Sequence, residues 1–401
     1  MTPTAHLLLV IISVGLLLEV AVCTEVEVLV KDNGGKIPTD CWACPAGQIH
    51  WWEAGWPSSA DRCACTPGSP CWTCPAGFVH WWEAGWESSG GDRCNCVKKG
   101  PGPGPSPPAP PAPPSLRALQ DAFTPSGGSP GCIAFGPYVR GFGPGAHVPD
   151  DLVNRLLDIM IRDTGFRCIQ LYGLDARIAK IAKSKGIKVH GIVWLNLGDN
   201  TAAINSAIAA VQQVGTDTIL GVSCGSELFV RNQGQQAYVE QTIRACIRGI
   251  RDAVKVPVGI NDASPSWFNQ YWRMADEVDY IGVNLYPFFD NYFGGCSHAN
   301  EAGLKTINLY RQAKNKYSGK LVLITEAGWP GNNHGARGCA ATSDNDQRLA
   351  MQQIVDEFRR ERAPVVIFEL FREPWKGEGN GEDSFGVCVG DAPYNCVTAP
   401  R

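Results

Sequence analysis

Short runs of apolar and β-branched residues alternate with longer amphipathic stretches along residues 131–401. Runs of this kind are typical of strands buried on both faces of a parallel sheet. The stretches Asp151–Arg162 and Ser343–Arg362 repeat their apolar positions at helical spacing, and the second opens with the helix-capping sequence Ser343-Asp344-Asn345-Asp346. Eight strands are predicted, at Cys132–Phe135, Arg167–Tyr172, Lys188–Leu195, Thr218–Ser223, Val256–Ile260, Tyr280–Leu285, Leu321–Thr325 and Val365–Leu370.

This order of elements predicts an α/β fold. Eight strand–helix units in about 270 residues indicate a (β/α)8 TIM barrel, and a doubly wound sheet is the alternative.

A tandem repeat fills residues 41–96, with a period near thirty residues. Cys-Trp-x-Cys-Pro-Ala-Gly begins at Cys41 and again at Cys71, and each copy closes with Asp-Arg-Cys-x-Cys. A unit of this size buries too little surface to fold unaided, so two disulfides per copy are expected. Zinc bound by the same cysteines is the alternative.

Eight of the 13 tryptophans lie in these two copies. Adjacent tryptophans on an extended segment point to opposite faces, so one of each pair can pack on the disulfides while the other faces solvent. Exposed indoles stack on sugar rings, which predicts a small carbohydrate-binding module; core filling is the alternative. The candidate sugar-binding side chains are Trp51, Trp52, Trp56, Trp81, Trp82 and Trp86.

Residues 97–130 are rich in proline and glycine and predict a semi-extended linker. The catalytic domain is therefore expected to occupy residues 131–401.

The amino terminus predicts export. Leu7–Leu18 is apolar and is followed by a cleavage-like sequence near Cys23, so residues 1–23 are expected to be a signal peptide, with an uncleaved anchor as the alternative. Removing Cys23 from the 17 cysteines leaves an even number, as in secreted disulfide-bonded proteins. The net charge of −4 argues against a nucleic-acid partner. We expect a monomer, secreted to the extracellular space or cell wall, without a membrane partner after signal cleavage.

Three cysteine predictions concern the C-terminal part. Cys388 and Cys396 are close enough in sequence to close a small disulfide loop, and Cys296 is expected to pair with Cys339. Cys224 is expected to be a buried free thiol.

In a barrel of this type the reacting groups lie where the strands end. Glu326 directly follows the seventh predicted strand, and Glu227 follows the fourth. A lone glutamate after a strand fits a helix cap or an ion pair equally well. Two carboxylates at opposite sides of one mouth, ringed by aromatic residues, are what glycoside hydrolysis needs. Other polar or aromatic residues at strand ends are Tyr138, Tyr172, Asn284, Tyr286, Glu373 and Lys376.

Three motifs make a family resemblance specific. Gly221–Glu227 resembles the Val-Gly-Ser-Glu motif of glycoside hydrolase family 17, the β-1,3-glucanases, and Ile324–Pro330 resembles its Thr-Glu-Thr-Gly-Trp-Pro motif. Phe368–Lys376 is similar to Phe-Glu-Ala-Phe-Asp-Glu-Pro-Trp-Lys of the fungal-type cell-wall members. The match runs from about Gly131 to Gly386. It departs from the family pattern at Phe135, Cys224, Ala327 and Arg372.

The resemblance implies a retaining mechanism through a covalent glycosyl-enzyme, with Glu227 as acid/base and Glu326 as nucleophile. Their carboxyl groups should then lie about 5–5.5 Å apart. It implies no cofactor and no metal. The residues expected to bind substrate or support the site are Tyr138, Tyr172, Asn284, Tyr286, Trp329, Glu373, Lys376 and Glu382.

The function expected from these features is secreted endo-hydrolysis of β-1,3-glucan. One alternative is a β-1,3-glucan transglucosidase of the same fold, in which a second sugar replaces water. A non-catalytic wall-binding protein is the other, and the presence of both Glu227 and Glu326 argues against it.

Overall fold

The computed structural model describes residues 114–269, 271–289, 298–331, 335, 339–377 and 381–400, together with four short strands nearer the amino terminus. The described residues belong to two compact units, with the short strands in one and residues 114–400 in the other. The predicted signal peptide at residues 1–23 and the six candidate sugar-binding tryptophans lie outside the described residues.

The two copies of the repeat form equivalent strand pairs. β1 (Gln48–His50) runs antiparallel to β2 (Cys65–Pro67), and β3 (Phe78–His80) runs antiparallel to β4 (Cys96–Lys98). In both pairs the histidine before the Trp-Trp sequence lies opposite the last cysteine of its copy. The sequence repeat is therefore also a repeat of backbone pairing.

The second unit is a closed barrel of eight parallel strands in chain order. Each of the eight predicted strands contributes one of them, so the (β/α)8 prediction is confirmed and the doubly wound sheet is wrong. The strands are β5 (Cys132–Ala134), β6 (Cys168–Tyr172), β7 (Lys188–Val193), β8 (Ile219–Ser226), β9 (Val258–Ala263), β10 (Tyr280–Leu285), β11 (Leu321–Ala327) and β12 (Val365–Ile367).

Helices surround the barrel. Both helices predicted from periodicity are present, and the hydroxyl of Ser343 caps the last one by accepting the Asp346 N–H at 3.0 Å. Within the described residues no helix is long and apolar enough to cross a membrane. The helices are α1 (Pro114–Phe123), α2 (Asp150–Thr164), α3 (Ala176–Ser184), α4 (Thr201–Val214), α5 (Leu228–Arg231), α6 (Gln236–Ala253), α7 (Ser264–Asn269), α8 (Ala302–Lys316) and α9 (Asp344–Glu361).

The predicted linker of residues 97–130 is too long at its carboxyl end, because α1 belongs to the barrel. Leu119 and Phe123 are fully buried. The Leu119 side chain packs on Gly221 in β8, and the Phe123 ring meets His190 in β7 edge-on at 5.3 Å. These neighbours belong to the first halves of their strands, so α1 closes the end of the barrel opposite the mouth where the strands end.

The disulfides confirm one prediction and correct another. Cys388 and Cys396 are bonded, with Cα atoms 3.8 Å apart. Cys224 is not a free thiol: its side chain is bonded to Cys246 on α6. A further bond joins Cys132 to Cys168 on neighbouring strands. Cys339 is also disulfide-bonded, but Cys296 lies outside the described residues, so that pairing stays a prediction.

The reason for the Cys224 error is geometric. Successive side chains of a strand point to opposite faces. Ser223 bonds to His190 inside the barrel, so Cys224 faces outward, where α6 presents Cys246. Which cysteine on a helix faces a given strand cannot be deduced from spacing along the chain.

Candidate active site

Glu326 lies at the end of β11 and is buried. Three hydroxyl groups surround its carboxylate: those of Tyr172 in β6, Ser226 in β8 and Tyr286, the residue after β10. Tyr172 donates to Oε1 at 2.7 Å, Ser226 lies 3.4 Å from the same oxygen, and Tyr286 donates to Oε2. Both oxygens of the predicted nucleophile are therefore fixed in direction.

Glu227 follows β8 in an unusual backbone conformation. Its φ is 52° and its ψ 33°, in the left-handed region that non-glycine residues seldom adopt. Gly225, two residues earlier, also has a positive φ of 86°, and the chain thereby leaves the strand and enters the single turn of α5. The Glu227 N–H is bonded to the Asn261 carbonyl at 3.0 Å. This turn directs the Glu227 side chain to Asn284, whose Nδ2 donates to Oε1 at 3.1 Å.

Asn284 and Ser226 connect the two glutamates. The Asn284 Oδ1 accepts a hydrogen bond from Thr325 at 2.8 Å, which leaves its Nδ2 to face Glu227 and, at 3.5 Å, Ser226 Oγ. Ser226 in turn donates to Glu326. The structure therefore brings Glu227 and Glu326 into one hydrogen-bond network at the mouth of the barrel.

Burial is the main electrostatic effect on this pair. It raises the pKa of Glu326, and the charge of Glu227 raises it further, while the hydroxyls of Tyr286 and Tyr172 oppose the rise. Burial also raises the pKa of Glu227, whereas the Asn284 amide and the Arg231 charge lower it. Two carboxyl groups coupled in this way titrate as a pair, and the site retains a proton at higher pH than an isolated glutamate would.

A second acidic cluster adjoins the site. The Lys376 Nζ lies 2.6 Å from Glu369 Oε1 and 3.1 Å from Glu373 Oε2, and all three side chains are buried. Burial lowers the pKa of Lys376, but the two carboxyl groups outweigh it, so the net shift is upward and the ammonium stays charged. Burial and the charge of Glu373 raise the pKa of Glu369 well above its usual value, whereas the charge of Lys376 lowers it. The charge of Lys376 in turn favours the ionised form of Glu326.

Tyr138 and Glu382 were also expected to bind substrate or support the site. Tyr138 is half-buried and meets Trp375 edge-on at 6.2 Å, and the charge of Glu373 adds to burial in raising its pKa. Glu382 is half-buried at the start of a 3-10 turn, close enough for its charge to raise the pKa of Glu227.

The predicted substrate contact of Trp329 is wrong. Its side chain is fully buried, packs on Phe288 at a ring distance of 5.3 Å and donates its indole N–H to the Ala341 carbonyl. No face of the ring is left for a sugar. Trp329 supports the segment after Glu326 from inside the core.

Three further features were missed from sequence. Glu369 lies in the motif Phe368–Lys376 and was quoted there without a role. Trp194 follows the third barrel strand, and the Arg231 guanidinium stacks 4.5 Å from the centre of its ring. Asp262 lies in the fifth barrel strand, where burial and the charge of Glu227 raise its pKa to about 7. The position of Trp194 at a strand end could have identified it from the sequence. The roles of Glu369 and Asp262 depend on their burial, which the sequence does not show.

Behind Glu326 a chain of buried polar groups continues into the barrel. Gln170 donates to Tyr172 at 3.2 Å and to the Thr325 carbonyl at 2.9 Å, so its Oε1 faces His190 Nδ1 at 2.9 Å. His190 Nε2 then accepts from the Tyr280 hydroxyl at 2.8 Å. Burial lowers the pKa of His190 to about 3, so the ring is neutral and acts as a fixed polar element.

Beside the mouth lies a groove that includes Tyr138, Tyr172 and Trp194 in its lining and has a volume of about 850 Å³. Much of the remaining lining comes from α3 and α4, including Lys180, Ile181 and Gln213. The groove adjoins Glu326 through Tyr172.

A (β/α)8 barrel with two glutamates joined at its mouth is the architecture of a glycoside hydrolase. The chain matches the family model of the BtgE/BtgC glycoside hydrolase domain over residues 132–386, and it belongs to that family, within glycoside hydrolase family 17. The resemblance inferred from three motifs is therefore confirmed.

Fungal proteins are among the relatives. The chain is 28% identical over 274 residues to the cell surface mannoprotein MP65 of Candida albicans, covering 65% of this chain and 67% of the relative. It is 27% identical over 221 residues to the probable family 17 glucosidase SCW4 of Saccharomyces cerevisiae, covering 54% and 55%. The aligned stretch thus spans about half to two thirds of these relatives.

Solved structures agree on the fold. A family 17 β-1,3-glucanosyltransferase from Rhizomucor miehei superimposes with a TM-score of 0.52 at 15% identity, covering 71% of this chain and 100% of that one. An endo-laminarinase from Formosa gives 0.53 at 17% identity, covering 65% and 83%. At these identities the similarity concerns the barrel alone.

Proposed function

We propose that this protein is a secreted, retaining glycoside hydrolase that cleaves β-1,3-glucan internally, with Glu326 as nucleophile and Glu227 as acid/base. The observation that carries the proposal is the network in which Asn284 and Ser226 join the two carboxyl groups. The names of the relatives and neighbours, which include glucosidases and β-1,3-glucan-active enzymes, support the substrate class.

In the first step Glu227 donates its proton to the glycosidic oxygen while Glu326 attacks the anomeric carbon. The bond to the leaving chain breaks, that chain departs with the proton as a free hydroxyl, and an ester forms between the sugar and Glu326. In the second step Glu227, now ionised, takes a proton from water, whose oxygen attacks the anomeric carbon. The ester breaks and Glu326 leaves as a carboxylate.

This mechanism needs the shared proton on Glu227 and the charge on Glu326. The hydrogen bonds favour that distribution, because Glu326 is surrounded by three hydroxyl groups whereas Glu227 accepts one amide N–H. Lys376 adds a positive charge on the side of Glu326. A sugar bound in the groove beside Tyr172 and Trp194 would expel water and strengthen each of these interactions.

Transfer to a second sugar is the alternative outcome of the same covalent intermediate. The neighbour from Rhizomucor miehei is described as a glucanosyltransferase, which makes this alternative specific. Laminari-oligosaccharides of one length distinguish the possibilities: shorter products alone mean hydrolysis, longer products mean transfer, and unchanged substrate means binding only.

Chemical rescue tests the two roles. Glu326→Ala should abolish turnover, and azide with an activated aryl glycoside should then give the glycosyl azide of inverted configuration. Glu227→Ala should give the azide of retained configuration, because the covalent intermediate still forms. Azides of the same configuration from both variants would show that the roles are wrongly assigned.

We further propose that the protein reaches the cell surface and that its repeats hold it on glucan. The apolar amino terminus, the disulfides and the cell-surface relatives support export. The equivalent strand pairs of the two copies support a module with two similar binding faces.

A further inference from the structure

The turn that carries Glu227 is held from the neighbouring strand by a buried carboxyl group that the proposed reaction does not use. Asp262 lies near the end of β9 and is fully buried. Its Oδ2 accepts the Phe229 N–H at 3.1 Å, and its Oδ1 accepts the Ala263 N–H at 2.8 Å. Both oxygens of this side chain therefore bind main-chain N–H groups.

Phe229 is the second residue of α5, the helical turn that directly follows Glu227. The first N–H groups of a helix have no partner within it, and the side chain of the residue before the helix commonly accepts one of them. Glu227 occupies that capping position, yet its side chain makes no capping bond. It bonds instead to Asn284 at the mouth of the barrel.

We propose that Asp262 is a positioning residue for the acid/base: it caps α5 in place of Glu227 and so leaves the Glu227 carboxyl free to face Glu326. This inference rests on the role proposed for Glu227. Without the bond from Asp262, Glu227 would occupy the capping position with the Phe229 N–H left without its acceptor, and a capping side chain commonly accepts such an N–H. A side chain drawn back to the main chain could not reach the glycosidic oxygen.

The backbone of Glu227 gives this bond a second effect. A non-glycine residue in the left-handed region is strained and persists only where neighbouring contacts hold it. Among the contacts that hold this turn, the Asn261 carbonyl accepts the Glu227 N–H, Arg231 donates to the Ser226 carbonyl at 3.1 Å, and Asp262 accepts the Phe229 N–H. The contact from Asp262 is made by a carboxylate side chain of the neighbouring strand.

The test uses two substrates that differ in their need for an acid. Cleavage of laminaripentaose requires protonation of a poor leaving group, whereas a 2,4-dinitrophenyl β-laminaribioside leaves with little help. Values of kcat/KM report the steps up to release of the leaving group for both. The variants are Asp262→Ala and Asp262→Asn, with Glu227→Ala as the reference for a lost acid.

Asp279→Ala is the matched control. Asp279 also accepts a main-chain N–H on the same strand, from Val258 at 2.8 Å, but at the opposite end from Glu227. The Asp279→Ala variant should be less stable, but its kcat/KM values for the two substrates should change by the same factor.

Asp262→Ala should lower kcat/KM for laminaripentaose at least 10-fold more than for the aryl glycoside, in the direction of Glu227→Ala. The ratio of the two values does not depend on how much of the variant is folded. Asp262→Asn keeps the side-chain volume but turns an amide nitrogen towards one of the two N–H donors. The ratio of the two kcat/KM values should therefore change in the same direction but by less. This variant provides the test if the alanine variant fails to fold.

Equal losses on both substrates in both Asp262 variants, alongside a selective loss in Glu227→Ala, would overturn this inference and leave the proposed function intact. A Glu227→Ala enzyme that loses both activities equally would instead refute the acid role of Glu227, and the role of Asp262 with it.

Discussion

Tyr172 donates its hydroxyl hydrogen to Glu326 Oε1 at 2.7 Å, while Tyr286 donates to Oε2 of the same carboxylate. The two phenols come from the ends of different strands, so the carboxylate is held from both sides. Hydrogen bonds to the charged form of an acid stabilise that form. The two phenols therefore oppose the rise in the pKa of Glu326 that burial and the charge of Glu227 cause.

Tyr172→Phe and Tyr286→Phe should each raise the pKa of Glu326, because each removes a donor to its charged form. The acid limb of the kcat/KM profile should move to higher pH, since the nucleophile must be ionised to react. A hydrogen bond to a charged group is worth about 1.5–3 kcal/mol, so the shift should be about one to two pH units. Tyr310→Phe, on the outer helix α8, is the control and should leave the profile unchanged. An unshifted limb in both site variants would exclude this role.

Lys376→Met should destabilise the protein strongly, because Glu369 and Glu373 would lose the buried cation between them. Breaking a buried pair by removing one partner typically costs about 3–5 kcal/mol. Urea unfolding measures this cost, with Lys185→Met as control. Lys185 pairs with the exposed Asp158, and that loss should be below about 1 kcal/mol. Adding Glu369→Gln to Lys376→Met should recover part of the stability; no recovery would argue against the coupling.

The stability of the barrel should fall with acid in part through His190. Its pKa is lowered to about 3 in the folded state from 6.5, so the unfolded chain binds a proton that the folded protein does not. The contribution of His190 to the free energy of unfolding is therefore complete above pH 6.5, and it declines as the pH falls below that value. Between pH 7.5 and 4.5 it should amount to about 3 kcal/mol.

Urea unfolding of His190→Gln at these two pH values tests this. The variant should be less stable at pH 7.5 but should lose about 3 kcal/mol less on acidification than the parent. His147→Gln, at an exposed position, should keep the parental pH dependence. An identical acid loss in His190→Gln would mean that the imidazole is charged when folded.

The domain boundary can be tested by truncation. A chain that starts at residue 112 keeps α1 and should unfold like the catalytic unit of the full chain. One that starts at residue 131, the boundary expected from composition, loses Leu119 and Phe123 from the floor of the barrel. Phe123→Ala alone should cost about 3–5 kcal/mol. Thermal unfolding measures the differences, and equal stability of the two truncated chains would contradict the position of α1.

The chain that starts at residue 112 also tests the repeats. Its turnover of short soluble oligosaccharides should equal that of the full chain. Its activity on insoluble β-1,3-glucan, and the fraction that sediments with it, should fall, because the second contact with the polymer is lost. Reduction of the isolated repeats should abolish their binding. Equal sedimentation of the full and truncated chains would assign the repeats another purpose.

The sequence by itself determined the parts of this protein that depend on local pattern. Buried strands such as Leu321–Ala327 appear as apolar runs, and a strand's end follows from where the run stops. Because parallel strands all end at one face of a barrel, the positions of Glu227 and Glu326 after two such runs were enough to predict that they share a mouth.

Only the tertiary structure decided which distant groups meet. The bond between Cys224 and Cys246, the packing of Phe123 against His190 and the cap that Asp262 gives to Phe229 each join segments without a common local pattern. Trp329 shows the converse, because a motif placed it at the site whereas packing placed it in the core. The direction of a side chain and the depth of its burial depend on what the rest of the chain packs around it, and that information is absent from the spacing of residues.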